Sequence, residues 1–142
     1  MKTISSFRGE YDFLSNMHPS PFTYKGCYFT CAEALFQAMK TTNENALELF
    51  DGIPGSEAKR IGRRIDLRPD WENIKVDIMR WVIKNKFRHE RLAEMLLATG
   101  DAELIEGNTW GDTFWGVCNG RGQNMLGKIL MEEREALRAE RQ

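Results

Sequence analysis

Histidine is nearly absent from this sequence: His18 and His89 are the only two in 142 residues. Neither belongs to an H-E-x-x-H run or to a Cys/His ligand spacing, so the residues call for no zinc site, and no other metal or cofactor motif stands in its place. The same scarcity argues against a Ser/His/Asp triad, whose nucleophile motif is also missing. Cysteine is scarce too. Cys27, Cys31 and Cys118 form no C-x-x-C pair, and an odd number in a chain of this size points away from a disulfide scaffold and toward a reducing compartment. No apolar run approaches the ~20 residues that cross a bilayer, and the opening MKTISSF lacks the apolar stretch of a signal peptide. A soluble cytoplasmic protein with no membrane partner is therefore expected. An excess of one charge is absent as well. Twenty Lys plus Arg against 21 Asp plus Glu leave a formal −1, unlike a dedicated nucleic-acid binder, although a local basic patch remains compatible with it.

What is present suffices for a core. With 42% hydrophobic residues over 142 positions, one compact domain spanning 1–142 is expected, without support from disulfides or metals. Thr3 to Phe7 and Pro21 to Thr30 are rich in aromatic and β-branched residues, and Lys25-Gly26 stands where a tight hairpin turn belongs. Thr30-Cys31-Ala32-Glu33 has the form of a capping box, which predicts a helix from there to about Lys40. A second helix through Leu47 and Phe50 should stop at Asp51-Gly52-Ile53-Pro54, and another should start near Ser56. From Pro69 to about Phe87, Trp71, Ile74, Ile78, Trp81 and Val82 recur at helical spacing and predict an amphipathic helix with its stripe in the core. Arg91 to Thr99 reads as a helix capped by Gly100, Ala102 to Glu106 as a short strand, 107–122 as loop, and Asn124 to Arg141 as a closing helix. In that last helix Leu126, Ile129, Leu130 and Leu137 should face inward.

Two constellations carry chemistry. Glu33, Gln37 and Lys40 lie at i, i+4 and i+7 of the first long helix, so a carboxylate, an amide and an amine share one stripe, its ends ~10 Å apart. The plainer alternative is that Glu33 only caps the helix and Lys40 is a solvated cation at its end. The second constellation is the loop Glu106-Gly107-Asn108-Thr109-Trp110-Gly111-Asp112-Thr113-Phe114-Trp115-Gly116 and the glycine-rich stretch after it. Its aromatics offer a base something to stack on, its glycines let backbone approach a ribose or phosphate, and Asp112 among them is placed for acid work if partly buried. They could equally plug the core. Gly120-x-Gly122 before a helix fits phosphate contact at the helix N-terminus, although neither a Rossmann nor a P-loop pattern is complete. Lys59, Arg60, Arg63 and Arg64 cluster on about one and a half turns, either as solvated surface or as a site for a phosphorylated substrate or nucleic acid.

Laid out in order, the residues resemble the NADAR family, which includes the YbiA-type N-glycosidases. The likeness runs from Phe7 to about Arg134. It rests on Phe13-Leu14-Ser15-Asn16, Ala32-Glu33 with Phe36-Gln37 and Lys40, Trp71-Glu72 with Met79, Lys86-Phe87, Leu96-Leu97-x-Thr99-Gly100, Glu106, Asp112-x-Phe114-Trp115-Gly116, and Gly122-x-Asn124-x-Leu126-Gly127 with Leu130-Met131. The resemblance implies an α+β, mostly helical fold with a small N-terminal β-hairpin. It also implies hydrolysis of the C1–N bond of a ribosylated base without a cofactor. The substrate would be a riboflavin-pathway ribosylaminopyrimidine phosphate or ADP-ribose on guanine in DNA or RNA. By position, Lys40 is the expected nucleophile, through a Schiff base, with Glu33 and Asp112 as candidate acid or base. Ser15, Asn16, Gln37, Trp71, Glu106, Trp115, Gly116, Gly122, Asn124 and Gly127 are expected at the substrate, and the loop adds Trp110. The rival mechanism has a carboxylate activate water while Lys40 binds phosphate. The rival function is a non-catalytic module that reads ADP-ribose or NAD. Three positions depart from the family pattern: Ala34 where histidine is common, Met17 where an aromatic is, and Cys118 where glycine is. Each bears on pocket shape and hence on substrate choice.

Overall fold

The computed structural model describes residues 2–142. In chain order it contains β1 (Thr3–Ile4), a 3-10 turn (Gly9–Leu14), β2 (Pro19–Tyr24), β3 (Cys27–Cys31), α1 (Ala32–Ala38), α2 (Glu44–Leu47), a second 3-10 turn (Glu48–Phe50) and α3 (Gly55–Gly62). There follow α4 (Trp71–Lys86), α5 (Glu90–Ala98), β4 (Glu103–Leu104), β5 (Gly107–Asn108), β6 (Val117–Cys118) and α6 (Met125–Glu140). This is the helix-dominated α+β composition that the sequence implies. Two compact units are distinguishable, Asn16–Lys86 and a second made of the described residues up to Ser15 with Phe87–Gln142.

In the Asn16–Lys86 unit, β2 and β3 form an antiparallel hairpin with Phe22 opposite Phe29 and Tyr24 opposite Cys27. Lys25 and Gly26 turn it with φ of 50° and 80°, the paired left-handed conformations that a two-residue turn demands. Cys27, Phe29 and Cys31 are buried while Tyr28 is exposed, the alternation of a half-covered strand. The capping box does not form. β3 runs directly into α1, so Cys31 becomes the N-cap without a side-chain bond; Thr30 Oγ1 donates instead to the Ile53 carbonyl (2.7 Å), and the Glu33 amide donates to the Asn16 carbonyl (2.9 Å). All seven residues of α1 are buried, because α3 and α4 both pack against it. In α4, Trp71, Met79, Val82 and Ile83 are buried, whereas Ile74, Ile78 and Trp81 are half-buried at the edge of the stripe. Trp81 is flanked edge-on by Phe22 (6.0 Å) and Tyr24 (5.3 Å) from β2.

In the other unit, β1 pairs in parallel with β4, Ile4 opposite Leu104, both buried. Helix α5 ends at Gly100 with φ of 63°, the left-handed residue expected there. It packs against α6, whose Leu126, Ile129, Leu130 and Leu137 are buried as their spacing predicts. Arg134 donates to Thr99 Oγ1 (2.9 Å), and Arg138 reaches the Gly100 carbonyl and Asp101 (3.0 Å), tying α6 to the end of α5. The segment 107–122 is not loop throughout. β5 and β6 pair in parallel within it, Gly107 opposite Val117 and Asn108 opposite Cys118. Strands of two residues are too short to show alternation, so the sequence carries no sign of them.

Candidate active site

Helix α1 stops at Ala38, two residues before Lys40, which stands in the turn that follows. Its amide bonds the Gln37 carbonyl (3.2 Å) and its carbonyl accepts from the Arg68 amide (2.8 Å), so the backbone is held on both sides although it has left the helix. The stripe drawn from the sequence survives this. Gln37 Nε2 donates to Glu33 Oε1 (3.1 Å), and both side chains are buried. Lys40 is half-buried, with Nζ 5.9 Å from the centre of the Trp71 ring, itself buried against Phe36 at 5.1 Å.

Burial lowers the Lys40 pKa below the ordinary lysine value of 10.5; Glu33 pulls it up, while Arg63 and Lys59 push it down. Loss of hydration penalises the ammonium, one carboxylate favours it and two cations oppose it, so the balance moves toward a neutral amine. Half-buried and close to the Trp71 ring, Lys40 is not the fully solvated side chain of the plainer alternative. Sequence reasoning missed Arg63 and Lys59 as its neighbours, since only the packing of α3 on α1 brings them there. Three buried side-chain oxygens of this unit lack a hydrogen bond to any described residue, Asn16 Oδ1, Ser20 Oγ and Gln37 Oε1, whereas Asn16 Nδ2 lies 3.5 Å from Met79 Sδ.

The remaining predicted site residues, Ser15, Glu106, Trp110, Asp112, Trp115, Gly116, Gly122, Asn124 and Gly127, belong to the other unit. There the tryptophan loop is tightly cross-braced. Asn108 grips Asp112 from both sides, Nδ2 donating to its carbonyl (2.8 Å) and Oδ1 accepting from its amide (3.0 Å). Asp112 Oδ1 in turn accepts the amides of Phe114 (3.1 Å) and Trp115 (2.9 Å). Trp110, 57% exposed, stands at the tip of this clamp, and Trp115 meets Phe114 edge-on at 4.8 Å.

Asn124 precedes α6 in a left-handed conformation, φ 54°, and its buried side chain accepts from the Glu106 amide (2.9 Å) and donates to the Leu104 carbonyl (2.9 Å). The first amides of α6 are already engaged, Met125 with the Phe114 carbonyl (3.1 Å) and Leu126 with that of Trp115 (2.9 Å). Phosphate contact through the free amides of this helix start, one of the sequence expectations, thus has no donors there at Met125 or Leu126. The glycines likewise serve the protein's own backbone: a Cβ at Gly116 would strike the Glu106 carbonyl, at Gly122 the Gly116 carbonyl, and at Gly127 the Leu104 carbonyl.

A family model described as the NADAR domain matches residues 5–138. The chain is 36% identical over 137 residues to the N-glycosidase YbiA of Escherichia coli (strain K12), a match covering 93% of this chain and 85% of that protein. It is 38% identical over 130 residues to a riboflavin biosynthesis protein of Vibrio vulnificus (strain YJ016), covering 88% of this chain but only 35% of that longer protein. The NMR structure of the E. coli protein YbiA superposes with a TM-score of 0.85 at 36% identity, covering 99% of this chain and 89% of the other.

Proposed function

The chain belongs to the NADAR family, and we propose that it hydrolyses the C1–N bond of a ribosylated base, with Lys40 as the nucleophile. The observation that carries this reading is the half-buried Lys40 amine, its pKa lowered by burial, beside the buried Glu33–Gln37 pair and the face of Trp71. An amine attacks a carbon only with its lone pair free, and burial shifts the equilibrium toward that form.

The steps follow from these groups. Nζ bonds to the anomeric carbon as the C1–N bond to the base breaks, and the carboxylic acid form of Glu33 gives its proton to the departing nitrogen. The Nζ–C1 adduct opens the ribose ring as the C1–O bond breaks and the ring oxygen takes a proton that Nζ gives up, leaving a protonated Schiff base on Lys40. The Glu33 carboxylate then removes a proton from water, which adds to C1; collapse of that adduct frees the sugar and restores the amine. Trp71 presents a π face to whichever cation stands at Nζ, ammonium or iminium, a contact that favours the charged intermediate. Asp112 we assign to shaping the loop, since one of its oxygens already accepts two amides. As substrate we infer a ribosylaminopyrimidine phosphate, in keeping with the riboflavin-biosynthesis relative, with ADP-ribosyl-guanine in nucleic acid as the alternative.

Both substrates should be offered to the wild type, to Lys40→Ala and to Glu33→Gln, with release of base and sugar measured. Lys40→Ala should fall to the uncatalysed rate on whichever is the substrate. Glu33→Gln keeps an acceptor for Gln37 yet cannot exchange a proton, and should lose about 10²–10⁴-fold. Tight ligand binding with no base release from either substrate would instead identify a non-catalytic reader.

A further inference from the structure

Six cations on this protein sit beside an acid: Lys25 with Glu44, Arg68 with Asp70, Lys75 with Glu72, Arg80 with Asp77, Arg138 with Asp101 and Glu135, Arg141 with Glu90. The C-terminal turn of α3 is different. Arg60, Arg63 and Arg64 are exposed, and none of the three side chains makes an ion pair or hydrogen bond with any described residue. Three unneutralised guanidiniums within five residues repel one another, an arrangement that a bound anion relieves.

Helix geometry says where two of these charges face. Lys59, Gly62 and Arg63 lie at i, i+3 and i+4, on one stripe, and the backbone stays helical through Arg63 (φ −77°, ψ −14°). Gly62 is the point of that stripe pressed on α1, since a Cβ there would overlap Gln37 Oε1. The face bearing Lys59 and Arg63 is thus turned toward the element that carries Glu33, Gln37 and, just beyond it, Lys40.

We propose that Lys59 and Arg63, reinforced by Arg60 and Arg64, form a phosphate-binding subsite beside Lys40. The planar fork of Arg63 suits two oxygens of one phosphate, and the compact Lys59 ammonium a third. This rests on Lys40 being the reacting group, and it makes the substrate a phosphorylated glycoside whose phosphate is gripped before the C1–N bond is broken. The phosphate could belong to a terminal monoester on the ribose or to a diester of a nucleic-acid backbone, which share this chemistry.

The test is direct binding, which requires no turnover. Inorganic phosphate, ribose 5-phosphate and a short single-stranded oligonucleotide are titrated at fixed ionic strength into the wild type and Lys59→Gln/Arg63→Gln. The subsite predicts that the double variant, with unchanged circular dichroism, loses at least about tenfold in affinity for inorganic phosphate. A matching loss for ribose 5-phosphate alone assigns the source to a monoester, and one for the oligonucleotide to backbone diesters. Phosphate affinity unchanged within twofold, or no measurable phosphate binding to the wild type, overturns the proposal. Trapping of sugar on Lys40 is measured separately, so either result leaves the reading of Lys40 to stand or fall alone.

Discussion

As the proposed nucleophile, Lys40 is subject to opposed demands, since the amine must be neutral to attack and the Glu33 carboxylate favours the ammonium. Burial, Arg63 and Lys59 all act against that carboxylate, and the net direction is downward from 10.5. The contributions have signs that substitution can separate. Replacing Glu33 by Gln removes an attraction for the proton, so the acid-side limb of kcat/KM against pH should move to lower pH, with reduced amplitude. Replacing Arg63 by Gln removes a repulsion and should move the same limb to higher pH. Identical limbs in wild type and both variants would mean that a group other than Lys40 sets the profile. Asp112 separates in the same manner. Asn offers the same acceptor to the amides of Phe114 and Trp115, so Asp112→Asn should keep most activity if the side chain shapes the loop, whereas a loss of about 10²–10⁴-fold would return it to acid–base chemistry.

Among the elements, the contact between α1 and α3 matters most to the site. Gly62 lets the helices approach until its backbone lies against Gln37, and the same contact carries Lys59 and Arg63 toward Lys40. Gly62→Ala must displace the buried Gln37 side chain or part the helices. A loss of about 1–3 kcal/mol in urea denaturation is expected, with a larger fall in kcat/KM for a phosphorylated substrate than for its dephosphorylated form. Equal falls would show that the contact serves stability alone. Asn124 does comparable work before α6. Asn124→Ala leaves the Glu106 amide and the Leu104 carbonyl without their partner and should cost about 1–3 kcal/mol. The helices were largely legible in the sequence because 3.6-residue periodicity and end signals such as Gly100 and Ile53-Pro54 are local. The start of α1 was not, because the Thr30 hydroxyl found the distant Ile53 carbonyl in place of its own helix. The β5–β6 pair was not, because its register depends on chain ten residues away.

For the molecule as a whole, the formal charge of −1 coexists with a concentrated basic turn on α3, so the electrostatics relevant to a ligand are local. Unmodified duplex DNA should accordingly bind no tighter than a non-specific ~10⁻⁴–10⁻⁶ M at physiological salt, measured by fluorescence anisotropy. Tighter binding would favour a nucleic-acid substrate. The stripe Glu33–Gln37–Lys40 could be read in advance as a shared face, yet pattern alone left it undecided between chemistry and capping. Its three-dimensional setting, with Trp71 from α4 and two cations from α3, depends on packing that no single segment encodes. Covalent catalysis is tested most directly by reducing the enzyme with sodium borohydride during turnover of a ribosylaminopyrimidine phosphate and mapping the adduct by mass spectrometry. The mechanism predicts the mass of the reduced sugar on Lys40, absent from Lys40→Ala; continued base release with Lys40 unmodified would contradict it and favour direct attack by water.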